Sequence, residues 1–174
     1  FASGFGSIRR FNEIFHDLFA RAPGDLRRSG KPEVSAAQEG EIMLLLRYRP
    51  PYDWAAMLAF LRLRAIPGIE QVTDDSYART VLLDGCQGTV TVRPGRGDAL
   101  EATVRFPRLQ ALPAIIARLR RVFDLASDPV AIAAQFASDP VMTELIRARP
   151  GLRVPGAWDG FELAMRAVLG QQIT

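Results

Sequence analysis

The chain has 174 residues, of which 48% are hydrophobic and 24% are charged, and its formal net charge is +3. These values are typical of a globular protein with one large core or two small ones, and no apolar run approaches the ~20 residues that a membrane span needs. A single cysteine excludes an intrachain disulfide and fits a cytoplasmic protein, and a single histidine excludes a cluster of Cys and His ligands for a metal.

The first predicted element is an amphipathic helix with a tail, residues 1–28. Its apolar face is formed by Ile8, Phe11, Ile14, Phe15, Leu18 and Phe19. Residues 1–31 also hold six basic and three acidic side chains, which accounts for the whole net charge. Such an excess favours contact with nucleic-acid phosphates, although a solvated helix face is an equally good interpretation of the charge alone.

The segment GFGSIRRFNEIFHDLFARAPGDLRR resembles the second helix-turn-helix of AraC-type regulators. The residues at the family's characteristic places are Gly4, Phe5, Phe11, Phe15, Pro23, Arg27 and Arg28. Arg21 departs from the pattern, since the family usually has glycine there. The resemblance implies promoter DNA as a partner and a groove-facing helical turn made of Ile8, Arg9, Arg10, Asn12 and Glu13.

Residues 29–40 are small, polar and without periodicity, which predicts a linker. A strand, a helix capped by Asp53, four strands and a second helix are predicted next. Their predicted bounds are residues 41–49, 53–64, 71–73, 78–83, 89–93, 100–106 and 109–125, with turns at Asp84-Gly85 and Pro94-Gly95. This order predicts an α+β fold in which an antiparallel sheet is covered by two helices.

Three further helices are predicted, and each begins at an aspartate that can cap it. Two are short, at residues 128–137 and 139–148, and open with Asp-Pro. The third begins at Asp159 and carries an apolar stripe, and Gly170 is predicted to follow it in the left-handed conformation. Thr174 would cap another helix. Because the stripe has no partner in this sequence, we expect the chain to be a segment of a longer protein.

Four blocks of this sequence resemble, in order and spacing, the AlkA-type 3-methyladenine DNA glycosylases. They are PPYDWAAMLAFLRLRAI, SYARTVLLDGCQGTVTVRP, RLRRVFDL and RPGLRVPGAWDGFELAMRAVLGQQIT, and the resemblance covers residues 42–174. It implies that residues 41–125 form the family's N-terminal α+β domain, which is similar to half of the TATA-binding protein. Residues 126–174 would be the truncated start of its helix-hairpin-helix domain. The joining of an AraC-type tail to such a domain resembles fused adaptive-response proteins of the Ada type.

The resemblance also implies an activity: excision of alkylated purines from double-stranded DNA by hydrolysis of the N-glycosidic bond, without a metal or another cofactor. Phe60 and Gln171 match positions that line the family's base pocket, and Gln172 matches the wedge that fills the gap in the base stack. The family's catalytic aspartate is expected beyond residue 174. We therefore expect the 174 residues alone to be inactive. No membrane partner is expected.

Other interpretations of the same residues stay open. From helix periodicity alone, Phe60 is a core residue, and Gln171 and Gln172 are loop residues after a helix. The protein could be a transcriptional regulator whose α+β domain is a non-catalytic sensing or binding module, or an α+β binding module with no role on DNA. Cys86 has no base or cation beside it in the sequence, which indicates an inert thiol.

Overall fold

The computed structural model describes residues 41–171, so the predicted AraC-type helix, the linker and Gln172 lie outside the described residues. The strands are β1 (Glu41–Arg47), β2 (Glu70–Val72), β3 (Tyr77–Leu83), β4 (Cys86–Pro94) and β5 (Ala99–Arg105). The helices are α1 (Trp54–Leu63), α2 (Leu112–Val122), α3 (Pro129–Gln135), α4 (Pro140–Ala148) and α5 (Gly160–Gln171). A 3-10 turn, Leu109–Ala111, precedes α2.

The strands form one antiparallel sheet in the order β1-β5-β4-β3-β2. The hairpin between β3 and β4 turns at Asp84 and Gly85, whose φ angles of 48° and 72° are left-handed. Pro94 is the last residue of β4, and the next turn includes Gly97 with a φ of 65°. Both hairpins that the sequence predicts are therefore present, and the predicted α+β class is confirmed.

One face of the sheet packs against α1 and α2. Val90 and Val92 of β4 are fully buried, and they lie opposite Val104 and Ala102 of β5 in the strand register. The alternation of apolar and polar residues that predicted these strands therefore marks the side facing the helices. The helices contribute Met57, Leu58, Leu61, Ile115, Ile116, Leu119 and Val122 to this core.

Three predicted helix ends differ from the structure by two residues or more. The helix predicted for residues 128–137 ends earlier, at Gln135. The helix predicted for residues 109–125 is divided into the 3-10 turn and α2, and it ends before Asp124, whose φ of 50° is left-handed. The prediction that Gly170 follows the last helix is wrong, because α5 continues through Gly170 to Gln171. An isolated glycine permits a helix end but does not force one, since the backbone hydrogen bonds of α5 can continue through it.

Each of the last three helices begins at the predicted aspartate. The Asp128 carboxylate accepts from the backbone N–H groups of Val130 and Ala131, and Asp139 and Asp159 cap α4 and α5 in the same way. Neither α4 nor α5 contains a buried residue. No helix between residues 41 and 171 is long and apolar enough to cross a membrane.

Candidate functional site

A cleft of about 320 Å³ lies where the start of α5 meets α1, β2 and β3. Phe60 of α1 lines one side, and Leu163 and Ala167 of α5 line another. The segment before α5 contributes Pro155, Gly156, Ala157 and Trp158. The cleft thus combines apolar walls with charged groups, an arrangement that suits an organic ligand with a polar edge.

Phe60 belongs both to the cleft and to the edge of the core. Its side chain is half-buried and packs against the buried cluster, and it also lines the cleft. The guanidinium carbon of Arg64 lies 3.9 Å from the centre of its ring. The ring therefore already binds one cation face-on, which is what an aromatic wall for a cationic base has to do.

Gln171 is the last residue of α5 and is exposed. It follows Leu163 and Ala167 at intervals of four residues, so the three share one row along the helix. Gln171 lies one turn beyond the part of the row that lines the cleft with Phe60. The structure thus places Gln171 on a helix rather than in a loop. The other predicted DNA contacts, Ile8, Arg9, Arg10, Asn12, Glu13 and Gln172, lie outside the described residues.

Four charged side chains form a closed ring on the wall of this cleft. Arg79 Nη2 lies 2.7 Å from Glu162 Oε2, and Arg79 Nη1 lies 3.8 Å from Glu70 Oε1. Arg166 Nη2 lies 2.6 Å from Glu70 Oε2 and 2.8 Å from Glu162 Oε1. Each carboxylate therefore pairs with both guanidinium groups. We call these four residues the charge ring.

The surroundings of Glu70 and Arg166 favour the charged forms of these two members of the charge ring. Burial alone would raise the pKa of Glu70, but hydrogen bonds from the Tyr77 hydroxyl, from Arg166 and from the backbone N–H of Ile66 lower it below its usual value. Burial likewise opposes the charge of Arg166, and its hydrogen bonds to Glu162 and Glu70 raise its pKa. Burial also raises the pKa of Tyr77, so its hydroxyl stays protonated and donates to Glu70 at 2.7 Å.

Trp158 fixes the segment that leads into α5. Its ring is 4% exposed and lies beside two cations, with the guanidinium carbons of Arg79 and Arg118 4.3 and 5.6 Å from the ring centre. Arg121 donates to the backbone carbonyls of Ala157 and Trp158 at 3.0 and 2.7 Å. These contacts attach the start of α5 to α2 and to the sheet.

Sequence reasoning missed the charge ring, although two signals for it were present. Glu162 and Arg166 are an oppositely charged pair four residues apart on a helix that is otherwise mostly apolar. In β3, Tyr77 and Val81 lie two residues before and two residues after Arg79, and both are buried. A strand period of two therefore places Arg79 on the core side, where a charge needs a partner.

The described residues contain no group of three or more His, Cys, Asp and Glu side chains that could hold a metal ion. Cys86 is a free thiol at the start of β4, and its side chain packs partly against the core.

Comparison with known proteins supports the resemblance of residues 42–174 to the AlkA-type family. Residues 43–159 match the family model of the AlkA N-terminal domain. The whole chain is 34% identical over 176 residues to "Probable bifunctional transcriptional activator/DNA repair enzyme AlkA" of Mycobacterium tuberculosis (strain ATCC 25618 / H37Rv), and it covers 35% of that protein.

A second relative is "DNA-3-methyladenine glycosylase 2" of Escherichia coli (strain K12). It is 36% identical over 136 residues, which are 76% of this chain and 45% of that protein. The chain thus spans about a third of one relative and less than half of the other. On the match of residues 43–159, the chain belongs to the AlkA N-terminal domain family.

Proposed function

We propose that this chain is part of a DNA repair glycosylase that excises alkylated purines and is fused to a DNA-binding regulator. Residues 41–125 would be its N-terminal domain and residues 126–174 the start of its helical catalytic domain. The observation that carries the proposal is the alignment of the whole chain with a relative named as both a transcriptional activator and a DNA repair enzyme.

The extent of the two alignments supports the fusion. The match to the glycosylase of Escherichia coli leaves about a quarter of the chain unmatched, whereas the match to the bifunctional relative covers all of it. Residues 1–40 make up about that share of the sequence. On the resemblance of residues 1–28 to the AraC-type helix-turn-helix, we assign them to an element that binds promoter DNA, and residues 29–40 to a linker.

The chemistry of the cleft supports a cationic base as the substrate. A glycosylase must rotate the damaged base out of the duplex before the bond to the sugar can break. Alkylated purines carry positive charge, and an aromatic face attracts a cation by about 0.5–2 kcal/mol. Phe60 would supply such a face once Arg64 moves aside, with Gln171 at the rim of the cleft and Gln172 as the wedge in the base stack.

Breaking the N-glycosidic bond leaves positive charge on the sugar, which a nearby carboxylate stabilises. Glu70 and Glu162 line the cleft, but each already pairs with two guanidinium groups. The resemblance to AlkA-type glycosylases implies a catalytic aspartate, and we assign it to a position downstream of residue 174. No metal or other cofactor has a part in this mechanism. The enzyme would act in the cytoplasm on double-stranded DNA.

The test is release of 3-methyladenine and 7-methylguanine from methylated duplex DNA. The protein extended by its own downstream sequence should release both bases, and Phe60→Ala should lower the rate of release. The 174 residues alone should release neither. Release by the 174 residues that Gln171→Ala abolishes would contradict the downstream position of the carboxylate.

A regulator with a non-catalytic α+β module is the second candidate, because the name of the bifunctional relative includes transcriptional activation. It predicts no base release from the extended protein. It also predicts promoter binding that weakens steeply with salt and that Arg9→Ala with Arg10→Ala reduces. Release of alkylated bases at a rate well above the background of the DNA would exclude this candidate.

A further inference from the structure

The charge ring joins α5 to the sheet by charges in place of apolar packing. Its sheet side is almost fully buried, since the side chains of Glu70 and Arg79 are 6% and 4% exposed. Its helix side is partly open, at 18% exposure for Glu162 and 28% for Arg166. No residue of α5 is buried. Among the described residues, α5 therefore contacts the sheet mainly through directional polar groups.

The charge ring also connects α5 to α1, the helix that carries Phe60. Arg166 donates to the backbone carbonyl of Arg64, the residue that follows α1. The guanidinium of Arg64 in turn lies over the ring of Phe60. One arginine thus contacts a carboxylate of β2, a carboxylate of its own helix and the end of α1.

Directional bonds fix rotation in a way that apolar contacts do not. Glu162 and Arg166 lie four residues apart, on one stripe of α5. A charged fork that binds two carboxylates has a narrow range of favourable geometries. Turning the helix by one residue, about 100°, would remove both side chains from Arg79 and Glu70. The same turn would take Leu163 and Ala167 out of the cleft.

We propose that the charge ring is a positioning device: it fixes the rotation of α5 against α1, so that the row ending at Gln171 faces the cleft wall formed by Phe60. Arg79, Glu70, Glu162 and Arg166 are then positioning residues, because they act on the base through α5. Their role in excision rests on the proposed function. Their role in fixing the rotational position of α5 does not rest on it, because that position can be measured without any substrate.

The position of α5 is tested by the distance between two spin labels in the 174-residue chain. The labels are attached to Ala59→Cys on α1 and Leu169→Cys on α5, with Cys86→Ser as background. Arg79→Met should broaden the distance distribution. Arg93→Met is the matched control, because Arg93 pairs with Glu101 across two strands but does not line the cleft. It should leave the distribution narrow.

A second variant keeps the test decisive if Arg79→Met does not fold. Glu162→Gln preserves the size of the side chain but removes its charge and replaces one accepting oxygen with a donating NH2 group, so it should broaden the same distribution. A distribution as narrow as that of the parent in both Glu162→Gln and folded Arg79→Met would overturn the inference.

The consequence for excision is measured in the extended protein under single-turnover conditions. Misplacing a substrate-contacting element by about 1 Å can cost up to ~100-fold in rate, so Glu162→Gln should lower the rate constant roughly tenfold or more. The amplitude of the reaction should not change, whereas a merely structural defect would reduce the amplitude and leave the rate constant intact. If the parent protein released no base, the proposed function would fail, and the label distances would still decide the positioning role.

Discussion

Arg153, in the loop between α4 and α5, is a buried arginine whose hydrogen bonds connect two other loops. Its side chain is 7% exposed, and its guanidinium donates to four backbone carbonyls, those of Arg49, Pro51, Asp124 and Ser127. The guanidinium also lies 4.9 Å from the centre of the Tyr52 ring. One residue therefore satisfies carbonyls of two loops that are far apart in the sequence.

Replacing this arginine should destabilise the protein strongly. Arg153→Met keeps the apolar stem but leaves four carbonyls without their donor, and we expect a loss of about 3 kcal/mol in the free energy of unfolding. The measurement is the urea midpoint of the 174-residue chain at pH 7. Arg93→Met removes an exposed ion pair instead, so it should cost less than about 1 kcal/mol. Equal midpoints for the two variants would contradict the role given to Arg153.

Sequence predicts a residue's role when its partner is local. Asp53, Asp128, Asp139 and Asp159 were all predicted as helix caps, because each accepts from an N–H within three residues. Arg153 was not predicted, since the chain must first fold to bring it to carbonyls about 100 residues away. Phe60 shows the intermediate case: periodicity places it on a helix face, but only the fold places that face at a cleft.

At the scale of elements, strand and helix types followed from periodicity, and their ends did not. β4 begins at Cys86, three residues earlier than predicted, because its backbone pairs with β3 as far as the turn, where Leu83 lies opposite Cys86. The stretch Cys86-Gln87-Gly88 carries no large apolar side chain, so the hydrophobic pattern does not mark this part of the strand. The end of α5 was misplaced for the same reason: its backbone hydrogen bonds continue beyond the last residue of the apolar stripe.

The contact between β2 and α5 should depend on pH through Glu70. Three hydrogen bonds hold its pKa below the ordinary value of 4.5. A carboxyl whose pKa is lower in the folded state stabilises the fold above its unfolded pKa, and this contribution is lost as the pH falls through the folded pKa. We therefore expect stability to fall as the pH drops below about 4.5, and Glu70→Gln should flatten this decrease while lowering stability at pH 7.

The measurement is the melting temperature of the 174-residue chain between neutral and acid pH. Tyr77→Phe removes one of the three bonds that lower the pKa of Glu70. It should therefore raise the folded pKa of Glu70 towards the unfolded value and make the acid decrease smaller, whereas Glu70→Gln removes the titrating group and its whole contribution. An acid decrease identical in the parent and both variants would show that another group controls it.

At the scale of the whole molecule, the two parts of the described chain differ in how they bury apolar residues. The sheet, α1 and α2 supply most residues of one buried core. The remaining core residues lie in adjoining turns and loops: Phe106, Ala111, Phe123, Leu125 and Trp158. Helices α3, α4 and α5 expose large apolar side chains. The most exposed are Val130, Val141, Leu145, Phe161 and Leu169. Where such side chains are contiguous, they form a patch that can associate with another apolar surface.

The final prediction concerns self-association of the 174-residue chain. On α5, Phe161, Met165 and Val168 form an exposed stripe on a different side of the helix from Glu162 and Arg166, at 78%, 42% and 52% exposure. Helices with such stripes associate in water because association buries apolar area, at about 25 cal/mol per Å². We therefore expect the weight-average mass in sedimentation equilibrium to rise with protein concentration, and we expect a hydrophobic dye to fluoresce in its presence.

Changing the three stripe residues to serine should make the chain monomeric and abolish most of the dye signal, because the new side chains leave no continuous apolar face. Leu63 and Leu109 provide the matched control: they are 83% and 66% exposed but lie on α1 and on the turn before α2. Serine at those two positions should leave association unchanged, since isolated surface leucines do not form a patch. A monomeric parent chain at all concentrations would show that the stripe is not an association surface.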